Sequence, residues 1–148
     1  MKKLTVTQSH YYKSPPEAVF RALTEPRQLA RWFVDSAKVD LVEGGRYTLT
    51  WKGYPSQKGE VKRVVRNRLL VMSWPNEFRG KMFTTEARFS LRKKGSGTLL
   101  TVRQTGFGEG DDWVWLYGAV QSGWAYFLTN LKSVLALGVD LRSEYDEP

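Results

Sequence analysis

The chain has 148 residues and a net charge of +8, with 41% apolar and 14% aromatic residues; this fits one domain over residues 1–148 with a core of its own, and argues against disorder. It has no Cys and one His, which excludes disulfides, thiolate nucleophiles, Cys-based zinc sites and two-His metal sites within the chain. No run approaches the ~18 apolar residues of a membrane span, and the basic start, Met1-Lys2-Lys3, lacks the apolar run of a signal peptide, so the expected setting is cytoplasmic, without membrane insertion.

Residues 4–12 read as a first strand, with Leu4, Val6 and Gln8 on one side. Ser14 is then placed to cap a helix, with Pro15 in its first turn and Glu17 completing a capping box. Ala18, Val19, Phe20, Ala22 and Leu23 carry the helix. Pro26 ends it and starts a second short one that reaches Trp32 and Phe33. After Asp35 the period falls from about 3.6 to 2. Ala37, Val39 and Leu41 alternate, Gly44-Gly45 supplies the positive-φ positions of a tight hairpin, and Tyr47, Leu49 and Trp51 alternate next. Residues 53–56 turn the chain, 60–66 make a strand, Asn67 turns it again, 69–74 make another strand, and 75–80 read as a loop. Phe83, Thr85, Ala87, Phe89 and Leu91 form an alternating face against Thr84, Glu86, Arg88, Ser90 and Arg92. Gly95-Ser96-Gly97 leads into a last strand over 98–105. Short turns make consecutive strands antiparallel neighbours.

Asp111 is placed to cap a helix over residues 112–137. Trp113, Leu116, Val120, Trp124, Phe127, Leu131 and Leu135 line one sector of it, and Gly138 is a natural stop. Gly118 lies opposite this stripe. Gly123 lies at its edge, where close packing is the expected reason for a missing side chain and room for a ligand the alternative. The elements bury their apolar faces together in one way: an α+β fold in which a curved antiparallel sheet of six to seven strands wraps the long C-terminal helix, with the two short helices closing one end.

This order resembles the helix-grip arrangement of the START/Bet v 1-like superfamily, and within it the branch related to the C-terminal domain of the activator of Hsp90 ATPase. The residues that carry the resemblance are Ser14-Pro15-Pro16-Glu17-Ala18-Val19-Phe20-Arg21-Ala22-Leu23-Thr24, Leu29-Ala30-Arg31-Trp32-Phe33 and Glu43-Gly44-Gly45-Arg46-Tyr47. Further pieces are Asn67-Arg68-Leu69-Leu70-Val71-Met72-Ser73-Trp74, Gly97-Thr98-Leu99-Leu100-Thr101-Val102 and Gly123-Trp124-Ala125-Tyr126-Phe127-Leu128-Thr129-Asn130-Leu131-Lys132. The superfamily holds apolar-ligand carriers, cyclases and cochaperones, so the resemblance implies the fold more narrowly than the function. The cochaperone's separate N-terminal domain has no counterpart in these 148 residues.

A gap between the inner sheet face and the long helix would be a pocket for a small hydrophobic ligand. Its expected lining is Trp32, Phe33, Tyr47, Leu49, Trp51, Met72, Trp74, Phe83, Phe89, Tyr117, Val120 and Trp124. Tyr and Trp join apolar area to one hydrogen-bonding group, which suits sterol-, lipid- or polyketide-like molecules. Alternatively the rings fill the space themselves. A cyclase or hydrolase using the same space would need an acid or base. Glu86 and Arg88 fall on the outer face by parity with Phe83 and Phe89. His10, beside Gln8 on alternate positions, reads as a surface or hydrogen-bonded histidine, and Asp35 and Glu43 as turn and cap residues. No catalytic residue, metal ligand or cofactor is expected.

Charge is uneven. From Lys62 to Arg103 eleven basic residues face only Glu77 and Glu86, whereas residues 109–147 are mainly acidic. Arg66 with Arg68, and Glu86 with Arg88 and Arg92, are expected to share sheet faces. The resemblance gives this surface a chaperone or other acidic protein as an alternative partner. Charge without a recognisable DNA- or RNA-binding motif does not support specific nucleic-acid binding.

Overall fold

The computed structural model describes residues 3–145; Met1, Lys2 and the acidic-tail residues Asp146 and Glu147 lie outside them. Strand β1 (Val6–Tyr12) is followed by helices α1 (Pro16–Thr24) and α2 (Pro26–Trp32). Then come β2 (Ser36–Val39), β3 (Arg46–Thr50), β4 (Gln57–Val65), β5 (Leu69–Phe78), β6 (Lys81–Lys94) and β7 (Gly97–Thr105). Helix α3 (Asp111–Leu137) and a 3₁₀ segment (Leu141–Tyr145) complete the order. The strands form one sheet, β1-β7-β6-β5-β4-β3-β2, with every pairing antiparallel. The long helix covers its inner face and the short helices close one end, which is the helix-grip fold.

Period-2 alternation holds where expected. Phe83, Thr85, Ala87, Phe89 and Leu91 are buried, while Thr84, Glu86, Arg88 and Arg92 are exposed. One inner row runs Val61–Met72–Ala87–Gln104–Val6 across five strands. Trp124 of α3 seats over it, edge-on to Phe89 at 5.3 Å. The Trp32 indole donates to the Ala22 carbonyl at 2.9 Å, locking α2 under α1.

Four local expectations are corrected. Ser14 does not cap α1: Pro15 is the N-cap with no side-chain hydrogen bond, and the Ser14 carbonyl accepts from Thr98 Oγ1 at 2.9 Å. A residue before proline is held out of the helical region, so Pro15 stays extended and the helix starts at Pro16, too far on for Ser14 to reach. Asp111 is likewise inside α3. Its N-cap is Gly110 at φ 113°, a conformation that suits glycine, and the Asp111 and Asp112 charges meet the helix dipole from the first turn.

Of Gly44-Gly45, only Gly44 has a positive φ, of 83°. Gly45 is required because a Cβ there would collide with the carbonyls of Asp40 and Val42, within a longer connection than a two-residue hairpin. Finally, residues 75–78 are strand, and Arg79-Gly80, at φ 52° and 72°, makes the turn. Pro75 has no N–H to donate. Its place is tolerated because the β4–β5 ladder ends at Val61–Met72, leaving Pro75 paired only with Thr84 of β6.

Helix α3 is the expected helix and ends at Gly138, φ 70°, as expected. Its rotation differs. The buried residues are Leu116, Trp124, Leu128, Asn130, Leu131 and Val134, while Trp113, Val120, Phe127 and Leu135 are only partly buried. The Gln8 side-chain amide donates to the Gln121 carbonyl at 2.8 Å and the Tyr12 hydroxyl to the Leu128 carbonyl at 2.7 Å. These bonds draw α3 toward the β1 edge. The face carrying Val120, Gly123 and Phe127 is thereby left short of a partner.

Candidate functional site

The side chains around that unsupported face form the candidate site. Phe33, at the C-terminal end of α2, is its hub. Its ring lies 5.1 Å from Trp51, 6.5 Å from Trp74, 5.5 Å from Trp124 and 4.8 Å from Phe127. Trp74 in turn lies 5.3 Å from Trp124 and 5.8 Å from Tyr47. A cavity of about 170 Å³ opens among Phe33, Trp51, Gln57, Trp74, Val120, Gly123, Trp124 and Phe127. A second void of about 20 Å³ lies deeper, sharing Phe33, Trp74 and Trp124 and bounded also by Trp32, Tyr47, Leu49, Met72 and Phe89. That is about the space of one water molecule.

The space is divided: the rings fill the deep interior, and an outer cavity remains. Of the residues proposed from sequence, Phe33, Trp51, Trp74, Val120 and Trp124 line the outer cavity. Trp32, Tyr47, Met72 and Phe89 border the small void. Phe83 and Tyr117 border neither. Phe83 packs on Trp113 at 4.8 Å and Tyr117 on Phe107 at 5.8 Å, in an aromatic cluster at the other end of α3. Sequence reasoning did not assign Gln57 or Phe127 to the cavity wall, and gave Gly123 room for a ligand only as the alternative to close packing. Parity back from Val61 through Gly59 would have put Gln57 on the inner face. Close packing is overturned as the reason for Gly123: a Cβ built there meets nothing within 4 Å.

Polar groups around the cavity are largely spent. The Trp51 indole donates to the Phe33 carbonyl at 2.5 Å, which ties the strand to α2. The Trp124 indole donates to Gln104 Oε1 at 2.7 Å; Gln104 Nε2 donates to Thr85 Oγ1 at 2.8 Å, and that hydroxyl to the Trp74 carbonyl at 2.7 Å. This buried chain fixes the indole of Trp124. The Tyr47 hydroxyl donates to the Ser73 carbonyl at 2.6 Å. Burial pushes its phenol well above the ordinary tyrosine range, against the opposing hydrogen bond from Gln57. Among the described residues no ionisable carboxylate, imidazole or amine lines the cavity. Its mouth shares Trp51 and Phe127 with a surface cleft holding Asp35, Lys52, Asp140 and Arg142.

His10 is hydrogen-bonded, as expected: its Nε2 lies 3.0 Å from Gln8 Oε1. Burial, then the Lys132 charge, lowers its pKa. Glu86 and Arg88 are on the outer face. Among the described residues no three His, Cys, Asp or Glu side chains gather into a metal-binding group. Nor, among the described residues, is any helix long and apolar enough to cross a membrane.

The outer face corrects the charge reading. Arg66 and Arg68 flank the β4–β5 turn rather than the face. Across the face, register sets Arg63 beside Val71, Val71 beside Arg88, and Arg88 directly opposite Arg103. All three arginines are exposed, and none has a salt-bridge partner among the described residues.

The family model for activator of Hsp90 ATPase homolog 1-like protein matches residues 13–136. No curated protein matches the chain. Among solved structures, a Mesorhizobium loti protein is similar at 25% identity and TM-score 0.79, covering 97% of this chain and 100% of that one. The Aha1 dimer from Colwellia psychrerythraea is similar at 21% identity and TM-score 0.78, covering 91% and 98%. An Hsp90 activator from Plasmodium falciparum is similar at 23% identity and TM-score 0.74, covering 89% and 96%. The last two likenesses concern the fold.

Proposed function

This chain belongs to the activator of Hsp90 ATPase homolog 1-like family, and we propose that it is a non-catalytic binding domain whose cavity holds a small apolar or aromatic ligand. The observation that carries this is the opening of about 170 Å³ walled by Phe33, Trp51, Trp74, Trp124 and Phe127. A cavity of about 150 Å³ with apolar walls is enough to hold benzene, so a one-ring molecule fits this space without moving the core. A sterol would need the small inner void to open first. Affinity comes from apolar area removed from water, at about 25 cal/mol per Å², and from ring edges meeting ring faces.

Gly123 supplies the test. A Cβ there meets nothing within 4 Å and points to no packed neighbour, and Gly123 lines the cavity. Gly123→Leu should therefore put a plug into the open space rather than into the core, and replacing a helical glycine favours the fold by up to about 1 kcal/mol. Toluene titrated into the wild type should change the fluorescence of the cavity tryptophans saturably. Gly123→Leu should abolish that response while keeping or raising the melting temperature. A folded Gly123→Leu protein that still binds toluene as the wild type does would sink the proposal.

A second reading is favoured by the row of Arg63, Arg88 and Arg103 together with the family. On it, the outer sheet face docks an acidic surface of a chaperone partner. Exposed charges of this kind speed encounter and set orientation more than they tighten binding.

A further inference from the structure

We infer that the cavity selects an aromatic molecule carrying a hydroxyl, a phenol, over a purely apolar ring; this rests on the cavity being a ligand site. The inference comes from accounting for every side-chain polar group in its wall. The indole N–H groups of Trp51 and Trp124 are engaged by the Phe33 carbonyl and by Gln104. The amide of Gln57 is oriented by chemistry: the Pro75 carbonyl, 2.8 Å away, can only accept, so Nε2 must face it. The same nitrogen lies 3.4 Å from the Tyr47 hydroxyl oxygen. Gln57 Oε1 is thereby turned from these partners and accepts nothing from the described residues.

Trp74 is the counterpart. It is only 7% exposed and lines both hollows, yet its indole N–H, unlike those of Trp51 and Trp124, donates to no described residue. The wall therefore offers one unused acceptor and one unused donor among apolar rings. Neither atom is sealed from water, since the one sealed side-chain atom without a partner among the described residues is Gln121 Oε1. A ring that displaces that water without replacing its hydrogen bonds loses affinity, so a ligand that pairs both gains over one that pairs neither. A hydroxyl is the smallest group that donates and accepts at once. The remaining wall is aromatic or aliphatic, and the volume admits about one ring.

The experiment compares 4-methylphenol with 4-methylanisole, whose oxygen accepts but cannot donate, and with toluene. Dissociation constants are read by ligand-observed NMR. The wild type should prefer 4-methylphenol to 4-methylanisole by about fivefold to tenfold, the scale of one net hydrogen bond. Gln57→Met should erase that preference while still binding toluene. Trp74→Phe keeps a ring and removes the donor, and should lower 4-methylphenol affinity relative to toluene severalfold; it serves also if Gln57→Met fails to fold. Equal binding of the phenol and the anisole in the wild type, with toluene bound and Gly123→Leu blocking all three, overturns the hydroxyl selectivity and leaves the aromatic-ligand reading standing. No binding of any of the three overturns both.

Discussion

Single residues decide how deep α3 sits. Leu128 is 0% exposed, whereas its neighbour Phe127 is half-buried at the cavity. Leu128→Ala should cost about 2–5 kcal/mol in urea unfolding, and Phe127→Ala less, because part of that ring already faces open space. A larger loss for Phe127→Ala would mean that the helix is rotated from the position described. His10 makes a second residue-scale prediction. Its folded-state pKa lies below the ordinary 6.5, so the unfolded chain binds the proton first as pH falls. Stability is unaffected by this group above pH 6.5, and declines as pH drops from there through the folded pKa. His10 is the only histidine in the sequence. Thermal melts of wild type from pH 7 to 5 should therefore show a decline that His10→Gln reduces; equal declines would place the titration elsewhere.

At the scale of elements, side-chain bonds hold together what the ladders do not. Asn130, fully buried on α3, donates to the Trp32 carbonyl and to Asp140 Oδ1, both at 2.9 Å, and accepts from the Leu141 amide at 2.7 Å. Arg142 extends this by donating to the carbonyls of Val34 at 3.1 Å and Ala30 at 2.8 Å and pairing with Asp140 at 2.9 Å. One polar residue thus joins α2, α3 and the C-terminal 3₁₀ segment. Burial alone would raise the Asp140 pKa, but the bonds from Arg142 and Asn130 outweigh it and hold the carboxyl below its ordinary range. Asn130→Ala would strand a buried carbonyl and an amide, and should cost about 1–3 kcal/mol or more. Asp140 contributes above its ordinary carboxylate range, and that contribution is lost as pH falls through the lowered folded pKa. A calorimetric melt of Asn130→Ala within half a kelvin of wild type would show that the clamp is not needed.

For the whole molecule the row of Arg63, Arg88 and Arg103 matters most. Like charges directly opposite on neighbouring strands are unfavourable, so Arg88 and Arg103 weaken the isolated sheet. Arg103→Glu would exchange that repulsion for a cross-strand pair and should raise the melting temperature slightly. If the outer face docks an acidic chaperone surface, a Glu triple variant at Arg63, Arg88 and Arg103 should lose binding to the chaperone of the same organism at low salt. Wild-type association should itself fade as salt rises, since the Debye length shrinks from ~10 Å at 0.1 M to ~3 Å at 1 M. Binding that ignores both salt and the triple variant would remove the docking reading. Equal salt-sensitive binding to random DNA would mark plain polyanion attraction.

Much of this architecture was legible because local chemistry repeats. The alternation from Phe83 to Leu91, the prolines at Pro16 and Pro26, Gly138 and the apolar period of α3 each specify an element from a few neighbouring residues, and their order specifies the helix-grip arrangement. The site was legible as an inventory: which side chains point inward follows from parity, and Phe33, Trp51, Trp74, Val120 and Trp124 were among them. What remained was decided by distance. How far α3 leans toward β1 depends on bonds from Gln8 to Gln121 and from Tyr12 to Leu128, more than 110 residues apart in the chain. That lean exposes Gly123 to open space, and no periodicity records it. The pairing of Arg88 with Arg103, and the end of the β4–β5 ladder that lets Pro75 stay in a strand, follow from inter-strand register. Register and helix tilt are set by packing summed over the whole core, so only the tertiary structure divides the rings into those that fill space and those that border it.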